Sequence, residues 1–118
     1  MNRDRPHFYC LGPGHIPVPC DIHEFGRVME SSERIVAKTE VAPGVQVSTV
    51  FLGLDHNFFG DGPPLLFETM IFDDYEAGDH QWRYCTWEEA ETGHNAACEL
   101  VRARIAILGS RIMSPGTL

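Results

Sequence analysis

The chain has 118 residues, nine Lys plus Arg against seventeen Asp plus Glu, a formal net charge of −8 and 43% hydrophobic residues, the composition of one ordinary globular domain. No stretch approaches the roughly 18 to 20 consecutive apolar residues of a membrane-spanning helix, so a membrane-embedded class is excluded. There is also no concentrated basic stripe, so direct binding to a nucleic-acid backbone is not expected.

The N-terminus, residues 1–6, is polar and charged where an export signal would be basic and then apolar, and a cytoplasmic protein is the expectation. In that compartment Cys10, Cys20, Cys85 and Cys98 are read as reduced thiols. Residues 7–20 carry Pro13, Pro17 and Pro19 with Gly12 and Gly14, which leaves room only for a small irregular hairpin, 7–11 with 16–18. Asp21 stands three residues before Glu24, the capping spacing that predicts a short helix over 22–29. Its apolar face is Ile22, Phe25 and Met29, with Arg27 and Glu30 outward.

From Arg34 the period becomes two. Ile35, Ala37, Thr39 and Val41 alternate with Val36, Lys38 and Glu40, and Pro43-Gly44 supplies a turn into a second strand over 45–54. In that strand Val45, Val47, Thr49 and Phe51 share one face, while Gln46, Ser48, Val50 and Leu52 share the other. Both faces are partly apolar, which predicts a central position. A loop, 55–64, leads to a strand over 65–72 in which Glu68 interrupts an otherwise apolar run. A last short strand over 81–85 and the Thr86–Glu89 capping spacing lead into a long helix over 87–108. Its stripe is Ala90, His94, Ala97, Val101, Ile105 and Leu108, with Gly109 suited to end it and 110–118 read as a flexible tail. The expected fold is a single α+β domain over 1–118: an antiparallel sheet of about four strands with a short N-terminal and a longer C-terminal helix packed on one face.

The runs VSTVFLGLDHNFF (47–59), GPPLLFETMIF (62–72) and RYCTWEEAETGH (83–94), with GHIPVPCDIHEFGR (14–27) upstream, resemble a family of small uncharacterised proteins carried by tailed bacteriophages and prophages of high-GC hosts. The resemblance covers most of the chain and implies an accessory role, counter-defence or host modulation, inside the host cytoplasm. It does not name a target.

Three constellations carry candidate chemistry. His7, Cys10, His15 and Cys20 have the spacing H-x2-C-x4-H-x4-C, near that of a zinc knuckle. The prolines among them remove backbone donors that would support thiolates, so an irregular hairpin without a cofactor is the preferred reading and zinc the weaker one. Asp55 and His56 in the loop, with Glu68 on the following strand, are the candidate acid-base or cation-binding residues. The alternative makes Asp55 a turn-former and His56 a residue on a wet loop. Glu68 is costly to bury unless paired, with Arg83 the candidate partner, or else lies on a solvated face.

The third constellation is acidic. Residues 73–91 hold seven acidic residues and one Arg beside Trp82 and Trp87, a surface that could meet a basic groove on a host protein. No nucleophile elbow, phosphate loop, dinucleotide fingerprint or H-E-x-x-H is present. The sequence therefore favours binding over catalysis, with Thr49, Asp55, His56, Asn57, Phe59, Glu68, Arg83 and Trp87 as ligand- or partner-binding candidates. The partner is a small-molecule ligand or a host protein. A small metal-dependent or acid-base enzyme and a zinc-stabilised interaction module are the alternatives, and a homodimer sharing sheet edges is compatible with each.

Overall fold

The computed structural model describes residues 5–58, 61–73 and 81–116, with side chains as far as residue 108. The fold is α+β. Strands β1 (Tyr9–Leu11) and β2 (Pro17–Pro19) form a small antiparallel hairpin, with a 3-10 turn at Pro13–His15 between them. Helix α1 (Ile22–Glu30) follows, started by the Asp21 carboxylate accepting from the Glu24 amide at 2.9 Å. A second 3-10 turn, Ser32–Arg34, leads into β3 (Ile35–Ala42), β4 (Val45–Phe51), β5 (Phe67–Asp73) and β6 (Gln81–Tyr84). These four strands form one antiparallel sheet in chain order, so β4 and β5 are central as the two-faced apolar pattern of β4 requires. Helix α2 (Trp87–Gly116) crosses the sheet.

The core lies on one face only. Phe51, Phe67, Leu66 and Val47 are fully buried, each contributing about 2 kcal/mol of apolar burial. Val45, Val47 and Ile71 meet Ala97, Cys98 and Val101 of α2. Phe51, Leu66 and Phe67 meet Tyr9 of β1 and Ala90 of α2, with Val28 and Met29 of α1 packed against them. Both helices and the small hairpin therefore cover the same side of the sheet.

Two close approaches fix this arrangement. Gly53, at φ +72, lies so near α1 that a Cβ would come within 2.7 Å of the Phe25 ring, and a Cβ on Gly93 would stand 2.1 Å from the Tyr84 hydroxyl. The capping box at α2 also forms: the Glu89 carboxylate accepts from the Cys85 and Thr86 amides, and the Thr86 hydroxyl accepts from the Glu89 amide.

Three details differ from the sequence pattern. Helix α2 runs past Gly109 to Gly116, because a mid-helix glycine costs only about 1 kcal/mol and does not by itself end a helix. Ile22, at the first position of α1, is 59% exposed, and Leu108 is exposed because it lies one turn past Ile105, where α2 still packs on the core cluster. The strict alternation in β3 also fails. The register advances from Ile35↔Val50 to Ala37↔Thr49, so Val36 is the extra residue of a bulge, and Ile35 falls on the face opposite Ala37 and Thr39.

Candidate functional site on the open face of the sheet

With both helices on one side, the other side of the sheet has no covering element among the described residues. The register sets its composition. Ile35, Val50, Glu68 and Arg83 form one row across the four strands, and Lys38, Ser48, Met70 and Gln81 form the next. At their centre Glu68 is only 7% exposed. A carboxylate so placed is costly unless charge and hydrogen bonds meet it. Its Oε2 accepts from Arg83 Nε at 3.0 Å and from Gln81 Nε2 at 2.8 Å, so the pairing of Glu68 with Arg83 expected from the sequence is present, supplemented by Gln81.

A groove of about 380 Å³ runs over this centre. Ile35, Val50, Met70 and Phe72 give it an apolar wall, with Phe72 51% exposed, while Arg34 and Lys38 give its β3 side positive charge. Arg34 is held in place by donating from Nε to the Met29 carbonyl at the end of α1, 3.1 Å away. Ile35 reaches the groove because of the bulge at Val36.

The structure does not bring the sequence candidates into one site. Thr49 lies on the covered face, fully buried, where its hydroxyl is 2.6 Å from the Thr69 hydroxyl and 2.7 Å from His94 Nδ1. The other ring nitrogen of His94, Nε2, is 2.9 Å from the Thr39 hydroxyl. Burial lowers the pKa of His94 below its ordinary value, and a neutral imidazole, one nitrogen donating and one accepting, satisfies both hydroxyls. Thr49 and Glu68 thus stand on opposite faces.

Asp55 is a clamp for the loop. Its carboxylate is ion-paired with Arg5 and accepts from the Asn57 amide at 2.8 Å and the Leu65 amide at 3.1 Å. Burial pushes its pKa up, but these hydrogen bonds and the Arg5 charge outweigh it and leave the carboxyl below its usual value. His56 uses Nδ1 on the Leu54 carbonyl at 2.8 Å, and Asn57 donates to the Asp61 and Pro63 carbonyls. Asp55, His56 and Glu68 make no mutual hydrogen bond among the described residues; the Asp55 carboxylate, His56 Nδ1 and the Asn57 side chain are engaged in closing the loop. Phe59 lies outside the described residues, as does 74–80 of the acidic stretch.

Trp87 is core on the covered face. It stacks on His15 with ring centroids 3.8 Å apart and meets Phe67 edge-on. Trp82 also packs on the core cluster of Val45 and Val47.

The H-x2-C-x4-H-x4-C set is not assembled either. His15 is committed to the Trp87 stack, and neither His15 nor His7 lies with the cysteines. Cys10 and Cys20 do meet, and the third group beside them is Glu24, with one ligand-type atom from each lying within 4.8 Å of the others. Burial pushes the Cys20 thiol up to about 12, with the hydrogen-bonded Cys10 thiol and the Glu24 and Asp21 carboxylates acting in the same direction.

The sequence reading missed Gln81, Lys38, Arg34 and Glu24. For the first three the missing information was strand register, which spacing along the chain does not carry. Glu24 follows Cys20 by four residues in the first turn of a capped helix, and that signal was available. Comparisons of the chain with protein-family models, with curated proteins and with solved structures return no match.

Proposed function

We propose that the chain is a binding protein whose open sheet face takes a small ligand with an anionic group on an apolar body. In keeping with its resemblance to phage accessory proteins, it acts by sequestering that ligand in the host, in counter-defence or host modulation. The observation that carries this reading is the groove over Glu68. A chain of net charge −8 places Arg34 and Lys38 along one wall of this groove, beside exposed apolar surface at Phe72.

The charge of Glu68 is already answered by Arg83, so Arg34 and Lys38 supply the positive field of the groove. A volume of about 380 Å³ is in the range of small-molecule sites, which pair mostly apolar walls with a few placed polar groups. Inhibition of a host protein through the acidic stretch is the weaker branch, since Trp82 and Trp87, its proposed anchors, are used in the core.

A concrete probe is 1-naphthyl phosphate, which has the required anion and apolar ring. Isothermal titration of the wild type should show binding that weakens by about tenfold in Lys38→Glu, the loss of one charge-assisted contact, and in Phe72→Ser. Arg102→Glu, on the exposed side of α2, should bind as the wild type does. No binding by the wild type, or equal binding by all four proteins, contradicts the proposal.

A further inference from the structure

We infer that Cys10, Cys20 and Glu24 form a binding site for a single zinc-class divalent cation, with two sulfur ligands, one carboxylate oxygen and a fourth position open to solvent or an exogenous ligand. The site is separate from the sheet-face groove and stands on its own geometry.

The hairpin creates the thiol pair. Cys10 lies opposite Val18 in the β1–β2 register, and the Cys20 amide donates to the Phe8 carbonyl at 3.0 Å. Cys20 is thus opposite Phe8 and diagonal to Cys10 on the same face of the hairpin. The helix adds the third ligand. Asp21 caps α1 through the Glu24 amide, which fixes Glu24 one turn after Cys20. The two sulfurs and a Glu24 oxygen lie within 4.8 Å of one another. Tetrahedral zinc with Zn–S bonds of about 2.3 Å requires sulfurs roughly 3.8 Å apart, so the ligands need draw together by no more than about 1 Å.

Two thiolates with one carboxylate suit a borderline cation such as zinc; hard cations prefer all-oxygen sets. Three protein ligands also leave zinc one position short of its usual four. A cavity of about 340 Å³, bounded in part by Cys10, Glu24, Arg27 and Glu33, opens beside them and gives that position access. The backbone bonds at Cys20 and Glu24 hold the ligands before metal arrives, as outer partners do at established metal sites. The site also differs from the knuckle suggested by spacing, because His7 and His15 take no part.

The test is titration of the full chain, kept reduced, with cobalt(II) and then zinc(II) against a chromophoric chelator. The expected result is one metal per chain, a sulfur-to-cobalt charge-transfer band, and displacement of cobalt by zinc. Cys20→Ser should lower zinc affinity by more than about 100-fold, beyond the range seen for outer-shell partners, and Glu24→Gln by about tenfold. Cys10 is buried, so Cys10→Ser is judged only after circular dichroism shows it folded. Cys20→Ser and Glu24→Gln carry the test if it is not. His7→Ala with His15→Ala should leave affinity unchanged. Wild-type affinity no greater than that of Cys20→Ser, absence of the charge-transfer band, or loss of binding in the double-histidine variant would each overturn the assignment. None of these readouts involves the sheet face, so this site and the proposed ligand groove fail independently.

Discussion

The two faces of the β3–β6 sheet carry comparable polar groups and treat them in opposite ways. Under α2, Thr39, Thr49, Thr69 and His94 form a closed set in which every hydroxyl and ring nitrogen has a partner, and no charge is present while His94 is neutral. On the open face Glu68 is almost as buried as His94 but is ion-paired with Arg83 and accepts from Gln81, both on the edge strand. A polar network that is complete rigidifies a core and has no capacity for a ligand. A partly exposed ion pair flanked by Arg34, Lys38 and bare apolar side chains retains that capacity. Burial of a polar residue is therefore a poor guide to function in this fold; what distinguishes the faces is whether the partners are exhausted.

The contrast can be broken by substitution, and the covered face should respond most. His94→Ala removes a buried ring and leaves the hydroxyls of Thr39 and Thr49 without it, so a loss of about 3 kcal/mol is expected in urea unfolding. Gly53→Ala should follow at about 2 kcal/mol, since the residue must hold a positive φ and its Cβ would press on Phe25. Acid sharpens the same comparison. The folded-state pKa of His94 lies below its unfolded value, so the unfolded chain takes up the proton first. Its contribution is complete above the unfolded value of about 6.5 and is lost as pH falls below that point toward the folded value. Melting temperature should accordingly fall as the pH drops below about 6.5, and less steeply in His94→Gln.

Open-face substitutions should be milder. Arg83→Met is expected to cost about 1 kcal/mol, because Arg83 is partly solvated and Gln81 still donates to Glu68. Lys38→Glu, exposed and unnecessary for packing, should change stability by less than about 0.5 kcal/mol while weakening ligand binding, measured by the same unfolding and titration experiments.

Much of the fold was legible in the sequence, and the site much less so. The capping spacings at Asp21–Glu24 and Thr86–Glu89 mark both helix starts, and alternation in β4 marks a central strand with Val47, Thr49 and Phe51 inward. These are local patterns, set by residues a few positions apart. The end of α2 was not readable at Gly109, because a favourable C-terminal residue permits termination without enforcing it. Nor was the place of Ile35, which depends on a bulge that period-two counting assumes away.

Glu68 and Arg83 were readable as a pair only because one carboxylate stood out among apolar neighbours. Their union with Lys38, Gln81 and Arg34 depends on register across four strands. The loop candidates Asp55, His56 and Asn57 illustrate the converse: residue types apt for catalysis are the same types that close turns, and here the backbone and Arg5 claim them.

The most direct experiment is an amide chemical-shift map of ¹⁵N-labelled protein during titration with 1-naphthyl phosphate. Saturable shifts confined to Lys38, Ser48, Glu68, Phe72 and their strand neighbours, with the amides of Ala90, His94 and Ala97 unmoved, are the expected result. Saturable shifts centred on α2, or no saturable shift on the open face, would contradict a ligand groove over Glu68.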